Sequence, residues 1–434
     1  MPHTVVIADD VTGANDIGIM YTKAGHSSVV YSLDQLDERA EFEEDVSIID
    51  TNSRFLSDRD AFRRVCQAVM LFPKNQVRQF FNKQCSVFRG NIGAEFDAML
   101  DALEEEFAII ILGFPDNGRT TIHGIHYVHG KKLEDSQFKD DPVHPMKQSD
   151  LLEILKSQTG RKAAAIHYEY LDQGVEILKQ RIGELKEEVN YVIIDVRNNE
   201  DLSVIAEAVR DEKVICGSSA IGYYLGLLHK SNAKQEGTEA LKRAGTSILC
   251  IAGSLTPQTK SQIAYIKNRN YPVITLDTTQ LFTGEAYRNE KRRILKEYAK
   301  ARVHSPMVLI HSMNQEEEVL RTKHLAAAAG IDNTAVSEMV SAALSDLAKV
   351  IADHYKIRKF VICGGDTSAS FCNKMSIKGM KVIKEIESGL PTCRSITKPY
   401  YELVLKSGSF GSEEFIEKAK DILLCRNLHF RHDE

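Results

Sequence analysis

TVVIADDVTGANDIG, residues 4–18, decides the fold class, because it joins an apolar β-branched run to two aspartates, a glycine and a helix-like segment. A run of this length and composition predicts a buried strand. Ligands of open α/β sheets bind at the carboxyl ends of the strands, where Asp9 and Asp10 are placed. Either aspartate can accept a hydrogen bond from a substrate hydroxyl or take its proton as a general base. Capping of the following helix by Asp10 or Thr12 is the alternative.

The same plan, a short apolar run followed by an amphipathic segment, repeats along the whole chain. The further strand candidates are residues 46–50, 108–114, 191–195, 213–217, 246–253, 271–277, 306–312, 359–365 and 401–408. Apolar strands that alternate with helices predict an α/β protein with mainly parallel sheets covered on both faces. A polar segment at 230–245 divides the chain, so we predict domains at 1–235 and 246–434 with the active site in the cleft between them.

Composition excludes several classes of partner. The net charge of −6 provides no basic surface for nucleic acid, and no apolar run approaches the length of a membrane-spanning helix. The first residues lack the features of a secretory signal. The eight cysteines form no C-x-x-C pair, so we predict neither a zinc knuckle nor a disulfide framework. A cytoplasmic location follows as an expectation.

Cations and glycines gather in the N-terminal half. Arg54 follows the second strand and can grip a carboxylate with two hydrogen bonds, although a solvated loop arginine is nearly as good an interpretation. The segment KQCSVFRGNIG at 83–93 opens onto a helix, which is typical of an anion site. The candidate substrate-binding residues there and after the strand at 108–114 are Lys83, Ser86, Arg89, Gly90, Arg119 and Thr120.

A long irregular stretch at 113–150 carries four histidines, at positions 123, 126, 129 and 144. Its prolines and aromatic residues favour an ordered, functional segment. The H-x-x-H-x-x-H spacing suits no common structural metal site, so we predict partly exposed loop histidines and no protein-bound metal.

Three strand-to-helix turns in the C-terminal half are rich in glycine, serine and threonine. Such turns can hold phosphates with hydroxyls and backbone amides, although glycine and serine also simply punctuate α/β chains. The candidate nucleotide-binding residues are Ser254, Thr256, Gly364, Gly365, Asp366, Thr367, Gly408, Ser409 and Gly411. Neither a Walker loop nor a dinucleotide fingerprint is present.

Taken together, these motifs resemble the four-carbon acid sugar kinase family over essentially the whole chain. The matching elements are ADDVTGA at 8–14, DTNSR at 50–54, KQCSVFRGNIG at 83–93, FPDNGRTT at 114–121, DPVHP at 141–145, GSLT at 253–256, GGDTS at 364–368 and KSGSFG at 406–411. The resemblance implies an N-terminal acid-sugar domain, a C-terminal nucleotide domain, and transfer of the ATP γ-phosphoryl to the terminal 4-hydroxyl of a four-carbon acid. It also implies that the candidate residues given above line the acid site and the ATP site.

Two residues depart from the family pattern: Cys85 stands where aspartate is common, and Asn52 where glutamate is expected. Both put the identity of the acid in doubt more than the reaction. D-threonate is the first expectation, with 3-oxo-tetronate and erythronate as alternatives. Mg²⁺ is expected with the nucleotide, and Asp9 or Asp10 as the base, with Asp366 as its rival. A homodimer is a further expectation.

Other classes of function stay open from the sequence. A lyase, isomerase or dehydrogenase can use the same N-terminal crevice, although the missing dinucleotide fingerprint counts against a dehydrogenase. A non-catalytic sensor of acid sugars, in which Cys85 and Asn52 mark lost activity, is the alternative outside enzymes.

Overall fold

The computed structural model describes residues 2–36, 40–141, 144–231 and 247–424. Its contacts divide the chain into two compact units, one of Met1–Glu236 with Lys378–Lys384, the other of Gly237–Ile377 with Glu385–Glu434. The predicted boundary between 235 and 246 lies outside the described residues, and the domain limits stay a prediction. The sequence did not indicate that Lys378–Lys384 belongs with the first unit.

The first unit alternates strands and helices in the predicted manner. Its strands are β1 (Thr4–Ala8), β2 (Ser28–Ser32), β3 (Val46–Asp50), β4 (Gln79–Lys83), β5 (Ala108–Ile111), β6 (Arg119–Ile122), β7 (Ile125–Val128), β8 (Lys131–Lys132), β9 (Ala163–Ile166), β10 (Tyr191–Ile194) and β11 (Val214–Gly217). Its helices are α1 (Val11–Lys23), α2 (Asp58–Val69), α3 (Ile92–Leu103), α4 (Leu151–Lys156), α5 (Tyr168–Leu171), α6 (Val175–Lys186), α7 (Asn199–Val209) and α8 (Ile221–Leu227).

Eight of these strands form one parallel sheet in the order β2-β3-β1-β4-β11-β5-β10-β9. Most of the connections between these parallel strands contain helices, which cover the sheet with apolar side chains. The central strand β1 is fully buried along its length, and Val5 and Ile7 belong to the main core. Residues 379–381 add an antiparallel edge to β2. The irregular stretch at 113–150 contains a separate antiparallel sheet, β6-β7-β8.

The second unit repeats the design with fewer strands. Its strands are β12 (Ile248–Ala252), β13 (Val273–Leu276), β14 (Met307–Ser312), β15 (Lys359–Cys363), β16 (Gly379–Glu387, of which residues to 384 belong to the first unit), β17 (Leu390–Ser395) and β18 (Glu402–Lys406). Its helices are α9 (Pro257–Asn268), α10 (Gly284–Ala301), α11 (Glu316–Ala328), α12 (Asn333–Tyr355), α13 (Gly365–Lys374) and α14 (Phe415–Leu424). The order β13-β14-β12-β15-β18 is parallel, and β17 pairs with β18 antiparallel.

The prediction of a two-domain α/β protein with mainly parallel sheets flanked by helices is therefore confirmed. Within the described ranges, no helix combines the length and the hydropathy that crossing a membrane requires.

Candidate active site

The carboxyl ends of three neighbouring strands of the first unit carry the main candidate residues. In the parallel register, Ala8 at the end of β1 lies beside Asp50 of β3 and Lys83 of β4. Asp9 and Asp10 follow β1 directly, so they lie at the same edge of the sheet. The strand pattern thus assembles groups that are up to 74 residues apart in the chain.

Arg54 joins the two aspartates. Its Nε and Nη2 each donate a hydrogen bond to the Asp9 carboxylate at 2.7 Å, and its Nη1 donates to the Asp10 carboxylate. All three residues are buried, with exposed fractions of 0%, 6% and 7% for Asp9, Asp10 and Arg54. Burial of two carboxylates costs free energy unless a cation accompanies them, so Arg54 stabilises the buried pair. In this structure Arg54 therefore organises the aspartates, and binding of a substrate carboxylate by Arg54 stays a prediction.

Asp10 also caps α1, as the alternative interpretation of the sequence held. Its Oδ1 accepts hydrogen bonds from the Gly13 backbone N–H at 2.5 Å and from the Thr12 hydroxyl at 3.1 Å. Burial alone would raise the pKa of Asp10, but Arg54 and the Gly13 N–H outweigh it and hold the pKa below its usual range. Capping and a role in the site therefore coexist in one residue.

Lys83 lies close to Gly13, in the first turn of α1. Its Nζ donates to the Gln84 carbonyl at 2.8 Å and lies 4.0 Å from the Asp16 carboxylate. A Cβ added at Gly13 would lie 3.0 Å from this Nζ. The absence of a side chain at Gly13 thus lets Lys83 approach the N-terminus of α1. Asp16, which the sequence analysis missed, also accepts a hydrogen bond from the Ser219 hydroxyl.

Two further buried carboxyls at this edge were missed. Burial raises the pKa of Asp50 to about 8, reinforced by Asp10. Burial likewise raises the pKa of Glu95 to about 8, reinforced by Asp9. Glu95 accepts hydrogen bonds from the Ser53 hydroxyl at 2.8 Å and from a side-chain amide at 2.7 Å. The aspartate that ends VSIID was a visible signal, whereas Glu95 is indistinguishable in sequence from a surface acid in the first turn of a helix.

Cys85 lies between two arginines. Its Sγ is 3.4 Å from Nε of Arg89, whose Nη1 pairs with Asp141. Burial opposes ionisation of the Cys85 thiol, but Arg89 and Arg54 outweigh burial and lower its pKa. Gly90 packs against Arg54, because a Cβ there would lie 3.2 Å from the arginine Cγ. The departure from aspartate therefore places a polarisable thiol with a lowered pKa beside these cations.

A cavity of about 510 Å³ borders this region. It is lined by Arg89 and Gly90 together with His144, Lys147 and other residues of the irregular stretch. His144 also contacts the Arg54 carbonyl through Nε2 at 3.2 Å.

The remaining N-terminal candidates are less closely connected. Arg119 is 2% exposed and donates to the Asn117 carbonyl. Thr120 is the next residue of β6, and successive side chains of a strand point to opposite faces, so Thr120 does not share the surroundings of Arg119. Ser86 is buried, and its backbone carbonyl lies 3.0 Å from Nε2 of His126.

The three glycine-rich turns of the second unit lie against one another. A Cβ at Gly408 would lie 2.2 Å from Oγ of Ser254, and a Cβ at Gly253 would lie 2.2 Å from Oγ1 of Thr367. A Cβ at Gly364 would lie 3.3 Å from the Ser254 backbone nitrogen. Only glycine permits such close approach, so the structure brings these separate sequence motifs into one cluster.

The Gly408 carbonyl anchors this cluster. It accepts hydrogen bonds from the Thr256 hydroxyl at 2.6 Å, the Thr259 hydroxyl at 2.9 Å and Nζ of Lys406 at 3.1 Å. Thr256 additionally caps α9 through Thr259 N. Lys406 is fully buried. The sequence analysis included it only as part of the KSGSFG element and assigned it no role.

The other nucleotide-side candidates flank the cluster. Gly365 and Thr367 lie in the first turn of α13, Ser409 is half-buried, and Gly411 has a positive φ of 85°. Asp366 is exposed, and its carboxylate accepts a hydrogen bond from the Ser337 hydroxyl at 3.2 Å.

Comparison with known proteins decides the family. Residues 4–225 match the family described as "Sugar-binding N-terminal domain", and residues 249–416 match "Nucleotide-binding C-terminal domain". The chain belongs to the four-carbon acid sugar kinase family. It is therefore a kinase, which makes it a phosphotransferase.

Relatives of this kinase cover nearly its whole length. A protein named 3-oxo-tetronate kinase from Burkholderia multivorans is 31% identical over 95% of this chain and 95% of the relative. One of the same name from Actinobacillus succinogenes is 29% identical over 96% of this chain and 99% of the relative. The solved structure of Haemophilus influenzae protein HI1011 is similar, with a TM-score of 0.70 and 26% identity over 97% of this chain and 100% of that one.

Proposed function

We propose that this kinase phosphorylates the terminal 4-hydroxyl of a four-carbon sugar acid with ATP, and that the acid is a 3-oxo-tetronate. The buried cluster of Asp9, Asp10 and Arg54 carries the proposal, because it places two carboxylates and their cation at the ligand-binding edge of the sugar-binding unit. The names of the relatives support the oxo acid as substrate. D-threonate, the first expectation from sequence, stays a prediction.

The residues suggest a division of tasks in acid binding. Arg54 donates to both aspartates and Arg89 to Asp141, so we assign the carboxylate of the acid first to Lys83 and Arg119, with Arg54 and Arg89 as further candidates. Phosphoryl transfer needs positioning and charge neutralisation more than covalent chemistry, and a carboxylate receives the hydroxyl proton. We assign that role to Asp9 or Asp10.

The glycine-rich cluster of the second unit suits a nucleotide. Backbone amides can approach phosphates closely at Gly364 and Gly408, and the hydroxyls of Ser254 and Thr256 lie beside them. ATP with Mg²⁺ supplies the phosphoryl group and the cation that neutralises it. We assign Asp366, which is exposed in the first turn of α13, to the organisation of that cation, with the role of rival base as the alternative.

The test is a substrate panel. We expect ADP release, measured in a coupled assay with ATP and Mg²⁺, from a 3-oxo-tetronate in preference to D-threonate, L-threonate and D-erythronate. Phosphorus NMR of the product should show a 4-phosphate. Replacement of the base, Asp10→Asn or Asp9→Asn, should reduce kcat by about 10²–10⁴ while the acid still binds. An acid that binds without any turnover in wild-type protein would instead support a sensor.

A cytoplasmic location and a homodimer stay predictions. Gel filtration with light scattering would decide the second.

A further inference from the structure

Two histidines and two carboxylates meet at the sheet edge of the first unit, away from the aspartate pair. His123 lies in the turn between β6 and β7, Asp195 directly follows β10, and His167 and Glu169 lie at the start of α5. We call His123, His167, Glu169 and Asp195 the histidine-carboxylate cluster. The H-x-x-H-x-x-H spacing noted in the sequence does not produce it, because only His123 of that motif takes part.

Three residues of this cluster, His123, His167 and Asp195, place ligand atoms close enough together for one metal ion. Nδ1 of His167 lies 3.4 Å from Oδ2 of Asp195, and Nε2 of His123 lies 3.4 Å from Oε1 of Glu169. Ligand atoms of His123, His167 and Asp195 all lie within 4.8 Å of one another. Zinc bonds to nitrogen and oxygen are about 2.0–2.2 Å long, which places neighbouring tetrahedral ligands about 3.3–3.6 Å apart.

Hydrogen bonds from the backbone hold the Asp195 carboxylate in place. Its carboxylate accepts hydrogen bonds from the backbone N–H groups of His123 at 2.7 Å, Gly124 at 2.9 Å and Tyr168 at 3.3 Å. Its side chain is 1% exposed, whereas the side chain of His167 is 43% exposed. A buried ligand held by backbone amides beside an exposed imidazole gives a preorganised site with an open path for the ion.

A cation beside Asp195 would also stabilise its buried carboxylate. The nearby Arg197 donates to Asp172 at 2.6 Å and Asp201 at 2.8 Å, so it is committed elsewhere. Protonated His167 can balance Asp195 as a simple ion pair, which is the alternative to a metal. In that alternative His123 is a packing partner, with its ring edge-on to His167 at 5.1 Å and to Tyr168 at 4.9 Å, and zinc binding separates the two interpretations.

A second histidine cluster in the first unit is explained by hydrogen bonds and needs no ion. His3 Nδ1 lies 2.8 Å from the Thr4 hydroxyl, and His3 Nε2 lies 3.1 Å from Nδ1 of His26. Nε2 of His26 lies 2.8 Å from the Gly226 carbonyl. Every ring nitrogen there has a neutral hydrogen-bond partner, so the chain of bonds explains these histidines without an ion, although Asp45 lies near.

We propose that the histidine-carboxylate cluster binds one zinc ion, or a similar first-row divalent cation, with protein ligands from His123, His167 and Asp195 and a fourth position open to solvent. The ion joins the β6–β7 turn to the ends of β9 and β10. The same β6 carries Arg119, so the ion secures the hairpin that holds a candidate substrate-binding residue. This site is separate from the Mg²⁺ expected with ATP.

The proposal is tested by equilibrium dialysis of chelator-treated full-length protein against zinc sulfate without nucleotide. We expect one zinc per chain that is missing from the double variant His123→Asn with His167→Gln. Asparagine suits the left-handed backbone of His123, whose φ is 51°. Each single variant should weaken binding by about tenfold or more. Zinc should raise the Tm of wild-type protein and leave that of the double variant unchanged.

His324→Ala, which removes an exposed histidine of α11, is the matched control and should bind zinc like wild type. Cobalt in place of zinc should give the visible absorption of a four-coordinate ion in wild type only. Equal zinc content in wild type and the double variant, both folded by circular dichroism, would overturn the proposal. So would a cobalt spectrum of six-coordinate form in wild type.

Discussion

Replacement of Arg54 by methionine should destabilise the first unit strongly. Methionine replaces the unbranched apolar part of the side chain and removes the guanidinium that Asp9 and Asp10 share. Loss of one partner of a buried ion pair costs about 3–5 kcal/mol, because the remaining charge stays buried. At about 2–4 °C per kcal/mol for a domain of this size, the Tm of the affected transition should fall by about 6–20 °C.

The matched control is Arg63→Met. Arg63 pairs with Asp60 at 3.0 Å one turn away, with the arginine side chain 67% exposed, and an exposed pair of this kind contributes about 0–1 kcal/mol. The chain has no tryptophan, so calorimetry and far-UV circular dichroism are the suitable assays. A Tm for Arg54→Met at pH 7 that matches the control would refute the view that Arg54 stabilises the buried aspartate pair.

The pH dependence gives a second check on the same reasoning. In wild type the pKa of Asp10 is lowered, so its contribution to stability is present above the unfolded pKa and is lost as pH falls through the folded pKa. Without Arg54 the two buried carboxylates gain stability by binding protons. The Tm difference between wild type and variant should therefore be largest near pH 7 and shrink towards pH 4. A difference that grows on acidification would contradict this.

Three further predictions concern single residues. Gly13→Ala should raise KM for the acid about tenfold, because its Cβ would lie 3.0 Å from Nζ of Lys83, whereas Gly183→Ala, in open space on α6, should leave KM unchanged. Lys406→Met should raise KM for ATP at least about tenfold without changing acid binding by calorimetry, since this buried amine holds the glycine-rich cluster. Glu95→Gln should flatten the pH dependence of stability: the folded carboxyl keeps its proton to about pH 8, so wild type loses up to about 1.4 kcal/mol per pH unit between about 4.5 and 8. Urea titrations at pH 5 and 8 would measure the free energy of unfolding of both proteins. An equal change in this free energy between the two pH values would contradict the prediction.

Local sequence patterns were sufficient for the fold and for part of the site. Apolar runs predict buried strands, and the rule that ligands bind at strand carboxyl ends placed Asp9 and Asp10 at this edge of the sheet. Lys83 was predicted only as part of a segment that opens onto a helix, because β4 was not among the strand candidates. The partner of Arg54 was not predictable, because a guanidinium can donate hydrogen bonds equally well to a substrate carboxylate and to a protein carboxylate. Only the tertiary arrangement shows that Asp9 and Asp10 lie within its reach.

Other features depend entirely on contacts between distant segments. The pairing of residues 379–381 with β2 requires a register that no local pattern specifies. His123 and His167 meet because a turn between two short strands lies over the end of β9. Burial of Glu95 likewise follows from which face of α3 packs on the sheet, and an acidic residue in a first helical turn is ordinarily solvated.

Charge balance links the missed carboxyls to the function of the edge. The pKa values of Asp50 and Glu95 are raised to about 8, so at neutral pH these carboxyls are mainly protonated and add little negative charge beside Asp9 and Asp10. Arg54 neutralises part of the charge of the aspartate pair, and an anionic acid therefore meets less repulsion than four carboxyl groups at one edge would suggest. Above pH 8 both carboxyls ionise in a buried place, and the affinity for the acid should fall with them. The burial that hides these groups from sequence analysis thus also makes the edge suitable for an anion.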